Sequence, residues 1–220
     1  MNANVLTEYG GPEVLRWGEV PLPEPGPGQI RIAVRAAGVG LTDLKIRRGD
    51  LQAVFPLPEP AVVGFEAAGV VDALGAGTRG VAVGDEVAAW LPGLGGYGEY
   101  VLASAWTRKP EGVSWADAAA LPASAEAAVG VLRQLGVQAG ETLLVLGGAG
   151  AVGMIATQLA VRQGVTVLAA VGADDDATME ELGARPVRYG DGLGDAVRAA
   201  VDRVDAVFDA AGRGGLPTAS

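Results

Sequence analysis

The spacing of apolar residues changes about halfway along the chain. Before Pro110, apolar residues come in short runs or alternate with polar ones, and glycine or proline separates the runs. Ile30, Ile32 and Val34, for example, share one face of a predicted strand. This pattern predicts many short β-strands, as in a barrel or sandwich. After Pro110, helical spacing alternates with apolar runs, which predicts an α/β segment with a parallel sheet.

The predicted elements divide the chain into two domains, 1–122 and 123–220. In the first, strands are expected at 4–7, 15–19, 29–35, 62–63, 69–71, 81–90 and 98–103, with one helix at 42–48. In the second, strands are expected at 142–146, 165–171, 186–188 and 204–208, and helices at 126–135, 152–160, 177–182 and 195–201. A capping signal at 114–117 marks the change from strands to helices.

The stretch 141–171 combines the strongest of these signals. The run Thr142–Leu146 predicts a strand buried on both faces, and the pattern Gly148-x-Gly150-x-x-Gly153 follows it before a helix. These glycines suit a tight turn, close approach to a ligand and close helix packing. Free N–H groups in the helix's first turn then face an anion, most often a pyrophosphate. Dinucleotide binding is therefore predicted; the alternative is a structural glycine turn in another α/β fold.

Composition narrows the possible partners and chemistry. The 220 residues carry 16 basic and 26 acidic side chains, a net charge of −10, which disfavours nucleic acid and anionic membranes. Cysteine and histidine are absent, which excludes disulfides, thiolate nucleophiles, Ser-His-Asp triads and the usual zinc ligands. No secretory segment is recognised, and no apolar run approaches the roughly 20 residues of a membrane span. A soluble, cytoplasmic protein with a small-molecule substrate is expected.

Several longer stretches carry a resemblance to a known family. From Val5 to about Leu216, the chain resembles the zinc-independent quinone oxidoreductase branch of the medium-chain dehydrogenases/reductases. The matching stretches are 6–15, 38–49, 64–71, 83–87, 95–100, 121–122 and 147–153. The resemblance implies a GroES-like β domain over 1–122 and a Rossmann domain over 123–220. It also implies hydride transfer from NADPH, with NADH as the alternative, to a quinone or an activated carbon–carbon double bond.

Only part of the family's fold is expected in this sequence. In the family, the end of the chain returns to complete the catalytic domain, and a full dinucleotide-binding sheet has six strands. Four strands are predicted after residue 122, and no returning segment follows them. We therefore expect a piece of a longer protein rather than a naturally short form. Family dimers often pair through the last strand of the Rossmann sheet, which is not in this sequence, so a homodimer is possible but the sequence leaves the oligomeric state open.

The resemblance implies a site without a metal. In the zinc-dependent branch, a cysteine stands at the position of Leu41 and a histidine at that of Phe65. Neither replacement can hold zinc, so no zinc cofactor is expected. Glu66, beside the lost zinc position, is expected to remain as a structural carboxylate bonded to backbone.

The family's cofactor contacts carry over to one set of positions. They lie on the glycine turn, on the helix before it, and at the ends of the second and fourth strands of the α/β domain. The candidates are Gly147, Gly148, Gly150, Ala151, Val152, Gly153, Gly172, Ala173, Asp174, Ala127, Ala210, Ala211 and Gly212. Four positions lack a side chain that is common in the branch. The branch often has Asn at the position of Gly40, Thr at that of Ala127, Ser at that of Gly172 and an aromatic residue near that of Thr178. These losses are expected to weaken cofactor binding.

The choice of cofactor is left open by the residues themselves. The family favours NADPH, but the stretch 173–176 is acidic where a 2′-phosphate would need a cation. Asp174 either reaches a ribose hydroxyl or belongs to a solvated acidic turn.

Candidate catalytic residues lie on the predicted helix 42–48 and in a later loop. Lys45 and Asp43 line the cleft in the family, where Lys45 would polarise a substrate oxygen or deliver a proton; the alternative is a solvated pair on a surface helix. Thr42 either contacts the nicotinamide side or caps the helix. Tyr97 either donates to a substrate carbonyl, as Tyr100 would, or packs in the barrel.

Three functions are compatible with these residues. The first is a nicotinamide-dependent reductase of quinones or enones. The second is a non-catalytic binding protein on the reductase fold, and the third is an inactive fragment of a longer enzyme. The pocket residues expected from the family, Leu51, Phe55 and Leu94, specify the substrate's shape only loosely.

Overall fold

The computed structural model describes residues 1–53, 56–57 and 60–212. The chain separates into two compact units, Met1–Ala123 and a second unit that begins at Ser124. Phe55 and the end of the family likeness, through Leu216, lie outside the described residues.

The first unit is built from antiparallel strands, as the sequence predicts. Its strands are β1 (Asn2–Leu6), β2 (Leu15–Glu19), β3 (Ile30–Ala37), β4 (Ala61–Val62), β5 (Glu66–Leu74), β6 (Glu86–Trp90), β7 (Tyr100–Ala103) and β8 (Ala105–Arg108). They form a three-stranded sheet of order β2-β1-β4 and a five-stranded sheet of order β7-β3-β5-β6-β8. The helices are α1 (Leu41–Arg48), α2 (Trp115–Ala119) and the start of α3 (Pro122–Leu135).

Alternating side chains build the core of the five-stranded sheet. Ile30 and Ile32 are fully buried, as their spacing predicts, and Val71 and Val87 pack in the same cluster. Strand β8 was not predicted, because only Ser104 separates it from β7. Strand β6 is shorter than predicted because residues 81–85 turn, with the amide of Ala82 donating to the Asp85 carboxylate at 2.8 Å.

The second unit contains a parallel sheet with helices on its faces. Its strands are β9 (Thr142–Leu146), β10 (Thr166–Val171), β11 (Arg185–Arg188) and β12 (Ala206–Asp209), in the order β11-β10-β9-β12. Its helices are most of α3, α4 (Ala151–Arg162), α5 (Asp176–Glu181) and α6 (Leu193–Ala200). This is the expected Rossmann-type arrangement, with four strands among the described residues.

Strand β9 lies at the centre of this unit. Leu143 and Val145 face one core cluster, which includes α4, whereas Leu144 and Leu146 face another, against which α6 packs. Burial on both faces explains why this strand reads as an uninterrupted apolar run. The carboxyl end of β9 leads directly into the glycine turn.

Candidate functional site

The turn between β9 and α4 needs glycine at several positions. Gly147 has φ 77°, in the left-handed region. A Cβ at Gly148 would lie 2.8 Å from the Cβ of Ala169, and one at Gly153 would lie 2.2 Å from the carbonyl oxygen of Gly147. Side chains at Gly148 and Gly153 would therefore force strand, turn and helix apart.

Gly150 is less crowded and lies at the surface of the turn. The nearest atom to a Cβ there would be the carbonyl oxygen of Gly147, at 3.3 Å, and the residue is exposed. The amides of Ala151, Val152 and Gly153 have no hydrogen-bond partner among the described residues. Because they open a twelve-residue helix, their N–H groups and the helix dipole favour an anion at this end.

The end of β12 adjoins the same turn. The Asp209 carboxylate accepts from the amides of Ala211 and Gly212, both at 2.9 Å. The Cβ of Ala211 lies 3.1 Å from the place that a Gly147 Cβ would occupy. The structure therefore brings the candidates Ala210, Ala211 and Gly212 together with the glycine turn.

The end of β10 supplies the third part of this edge. Gly172 precedes a 3-10 turn, Ala173–Asp175, in which Asp174 is exposed. The sequence prediction for this strand end named only Gly172, Ala173 and Asp174. It did not include Arg188, which donates to the Gly172 carbonyl oxygen at 3.5 Å. Arg188 reaches Gly172 through the parallel pairing of β10 with β11, which places the end of β11 beside Gly172 and which no sequence signal at Gly172 indicates.

The positions that depart from the family carry no compensating group. Ala127 is half-buried in α3, next to the core residue Ala128, and Thr178 is exposed in α5. Gly40 is the N-cap of α1. Gly40 and Ala127 therefore offer no side-chain hydrogen-bonding group at these positions.

The four candidate catalytic residues fall into two pairs. Thr42 and Lys45 are exposed on α1, whereas Asp43 is 4% exposed on its buried face. The Asp43 carboxylate accepts from the amide of Gly40 at 2.8 Å, so Asp43 caps the helix and Thr42 does not. Asp43 and Tyr97 lie close together, because both line the same cavity.

Asp43, Glu66 and Tyr97 form what we term the acidic cluster. Glu66 is 6% exposed and accepts from the amide of Ala123 at 2.9 Å, so the structural role predicted for it is confirmed. Burial raises the pKa of both carboxyls, while the amides of Gly40 and Ala123 partly offset this. Burial, followed by the negative charge of Asp43, raises the pKa of the Tyr97 hydroxyl.

Asp43 and Tyr97 also line a cavity of about 530 Å³ in the first unit. Arg47 and the exposed Trp17 line it too. Asp43 Oδ1, the Tyr97 hydroxyl and Arg47 Nε are buried without hydrogen-bond geometry to any described group. Leu51 and Leu94 pack against the apolar cluster around Ile46 and Val63, and Leu94 also lines a second cavity of about 520 Å³.

Two kinds of feature are absent from the described ranges. Among residues 1–53, 56–57 and 60–212, no three His, Cys, Asp or Glu side chains are grouped to hold a metal ion. In the same ranges, none of the helices combines the length and hydropathy needed to cross a bilayer.

Comparisons with known proteins identify relatives of both units. Residues 26–110 match the alcohol dehydrogenase GroES-like domain. A 149-residue stretch is 46% identical to the pikromycin polyketide synthase component PikAII of Streptomyces venezuelae and covers 66% of this chain and 4% of the synthase. The chain spans 53 to 58% of the length of three further curated relatives.

Solved structures show the same fold. A quinone oxidoreductase from Coxiella burnetii matches with a TM-score of 0.77 and 32% identity, over 95% of this chain and 68% of that one. A mycobacterial protein solved in complex with NADPH matches with a TM-score of 0.74 and 34% identity, over 87% of this chain and 60% of that one.

Proposed function

Because the chain belongs to the medium-chain dehydrogenase/reductase superfamily, we propose that it binds NADPH or NADH and takes part in hydride transfer to a quinone or an α,β-unsaturated carbonyl compound. The observation that carries this proposal is the glycine turn after β9. Its unpaired amides and the exposed Gly150 leave a backbone cradle for a pyrophosphate. The quinone oxidoreductase fold and the NADPH complex of a relative support it.

The residues at this edge of the sheet fit a dinucleotide. Ala151, Val152 and Gly153 would donate N–H groups to the pyrophosphate, and Gly150 would allow close approach. Gly172, Ala173 and Asp174 would adjoin the adenosine ribose. Ala210, Ala211 and Gly212 would contact the cofactor from the end of β12, where ligands of such sheets bind.

When bound, the nicotinamide supplies the hydride. The chain's own residues then have to bind and orient the cofactor and the substrate and deliver a proton to the product. Lys45 is the proposed group that polarises the substrate oxygen, because its side chain is exposed on α1. Thr42, exposed on the same helix, is proposed to contact the nicotinamide side. For Asp43 and Tyr97 the proposal narrows to positioning α1, since both polar groups are buried.

We also propose that the reaction proceeds without a catalytic metal. Leu41 and Phe65 stand where the family's zinc-dependent branch has metal ligands, and neither side chain can bind zinc. Rate enhancement would then come mainly from placing the cofactor against the electrophilic carbon.

A second candidate function is non-catalytic binding on the reductase fold. The observation that favours it is the small, apolar character of Gly40 and Ala127, which provide no side-chain hydrogen bonds to a cofactor. On this view, the double variant Gly40→Asn, Ala127→Thr gains cofactor affinity and the native chain shows no turnover.

Calorimetric titration of NADPH and NADH into residues 1–220 tests the proposed function. Heat is preferable to tryptophan emission because Trp17, Trp90, Trp106 and Trp115 all lie in the first unit. We expect saturable binding of at least one cofactor. Gly150→Val should weaken it at least about tenfold, because the side chain occupies the phosphate's approach while φ of −73° suits any residue.

The matched control is Gly192→Val. Gly192 also lies in the second unit and precedes a helix, and no atom lies within 4 Å of the place that a Cβ there would occupy. This variant should bind as the native chain does. Failure of the native chain to bind either cofactor up to millimolar concentration would refute the proposal, as would equal binding by the Gly150 variant.

A further inference from the structure

Gly172 lies near two side chains: that of Arg188, the last residue of β11, and that of Tyr189, which follows it. In the parallel pairing of β10 with β11, Val171 lies opposite Arg188. The Nη1 atom of Arg188 lies 3.5 Å from the Gly172 carbonyl oxygen. The Tyr189 hydroxyl lies 3.7 Å from the place that a Gly172 Cβ would occupy. The Arg188 guanidinium and the Tyr189 hydroxyl therefore lie at the position where a Rossmann fold contacts the adenosine ribose.

The guanidinium of Arg188 is already engaged by an acid. Its Nη1 donates to Asp176 Oδ1 at 2.6 Å, and its Nη2 donates to Asp176 Oδ2. This two-point contact lowers the pKa of Asp176 and raises that of Arg188. Both side chains are partly exposed, at 50% and 35%, so the pair is open to a ligand. Exposed pairs of this kind add little stability.

Further acids lie at the same strand end. The Asp175 carboxylate lies 3.6 Å from the Cβ position of Gly172, and Asp174 is exposed beside it. A ribose 2′-hydroxyl would find an acceptor in Asp175 or Asp174, as in NAD-binding folds. A 2′-phosphate would meet two carboxylates and a cation whose charge Asp176 neutralises.

Resting on the proposed function, we propose that the Asp176–Arg188 pair sets the choice between the two cofactors. Arg188 is the group that would meet a 2′-phosphate, and Asp176 holds it away from that role. The native chain therefore binds NADPH no more tightly than NADH. Release of Arg188 shifts the preference towards NADPH.

Titration of both cofactors into four chains tests this: native, Asp176→Asn, Arg188→Gln and the double variant. We expect Asp176→Asn to raise NADPH affinity roughly tenfold, as one partly screened charge contact would, and to change NADH affinity less than about twofold. The double variant should lose the gain, because the gain depends on Arg188.

Asp195→Asn is the matched control. Asp195 forms an exposed pair with Arg198 on α6, so its loss changes the net charge by the same amount within the same unit. It should leave the ratio of the two affinities unchanged. Thermal melts of all variants check that the fold is kept.

The outcomes separate the two proposals. If native and variant chains bind neither cofactor, the proposed function fails and the selectivity inference fails with it. If both cofactors bind but Asp176→Asn raises both affinities equally, only the selectivity inference is overturned. A tenfold native preference for NADPH, or a gain that survives Arg188→Gln, overturns it as well.

Discussion

The glycine turn and the acidic cluster are two candidate sites built in opposite ways. The turn offers backbone N–H groups, and its glycines lie within seven successive residues. The cluster offers side chains from α1, β5 and a loop, and Glu66 bonds an amide 57 residues away. A backbone site shows its requirements in the sequence as glycine spacing. A site of buried side chains shows them only once the chain has folded.

The largest expected effect tests whether the turn is held by backbone packing. Gly153→Ala places a methyl group 2.2 Å from the Gly147 carbonyl oxygen, so strand and helix must separate. We expect a loss of roughly 3 kcal/mol in the free energy of unfolding of the second unit. Urea titration followed by circular dichroism measures it.

Gly150→Ala is the control for that loss, because its methyl group meets no atom closer than 3.3 Å. It should change the free energy of unfolding by less than about 1 kcal/mol. Equal effects at the two positions would show that close packing does not define the turn.

A smaller effect is expected in the acidic cluster. Glu66→Ala leaves the buried Ala123 amide without its acceptor and should cost about 1–3 kcal/mol. Glu66→Gln keeps an oxygen acceptor and removes a buried charge, so its cost should be less than about 1 kcal/mol. Denaturant titrations of the two variants compare them. A larger cost for Gln than for Ala would mean that the charge, rather than the hydrogen bond, is what the fold requires.

The smallest effect concerns the pH dependence of stability. Burial raises the pKa of Asp43, so the folded chain holds this proton at pH values where the unfolded chain has lost it. The free energy of unfolding should therefore fall as the pH rises from the ordinary aspartate pKa through the raised one. Asp43→Asn, which can still accept from Gly40, should remove this part of the fall.

The measurement is a series of denaturant titrations of native and variant chains across the acidic range. The difference between the two chains reports Asp43 together with the part of the raised Glu66 pKa that Asp43 causes. Carboxyls with lowered pKa values, such as Glu99 and Asp176, contribute equally to both chains and cancel. A difference independent of pH would contradict a raised pKa at Asp43.

Much of the fold could be predicted from the sequence because its signals are local. Alternating apolar and polar residues predicted β3, and an uninterrupted apolar run predicted β9. Gly49, which has φ 88°, ends α1 as expected. Family likeness then supplied the order of the two units. The strand β8 was missed because a single residue separates it from β7, and no turn signal marks so short a break.

Only those parts of the candidate site that consist of backbone groups could be predicted from the sequence. The glycine turn and the end of β12 meet as expected. The separation of Lys45 from Asp43 across α1 follows from which face packs, and the meeting of Arg188 with Gly172 follows from strand order. Both are tertiary facts that residue spacing along one segment does not contain.

Backbone amide NMR tests most directly the claim that the turn binds the cofactor. The 22.0 kDa chain is small enough for assigned amide spectra during titration with NADPH and NADH. We expect the largest changes in chemical shift at the amides of Ala151, Val152 and Gly153, and we expect these changes to be lost in Gly150→Val. Unchanged amides at these three residues, with saturable binding seen elsewhere, would contradict this claim.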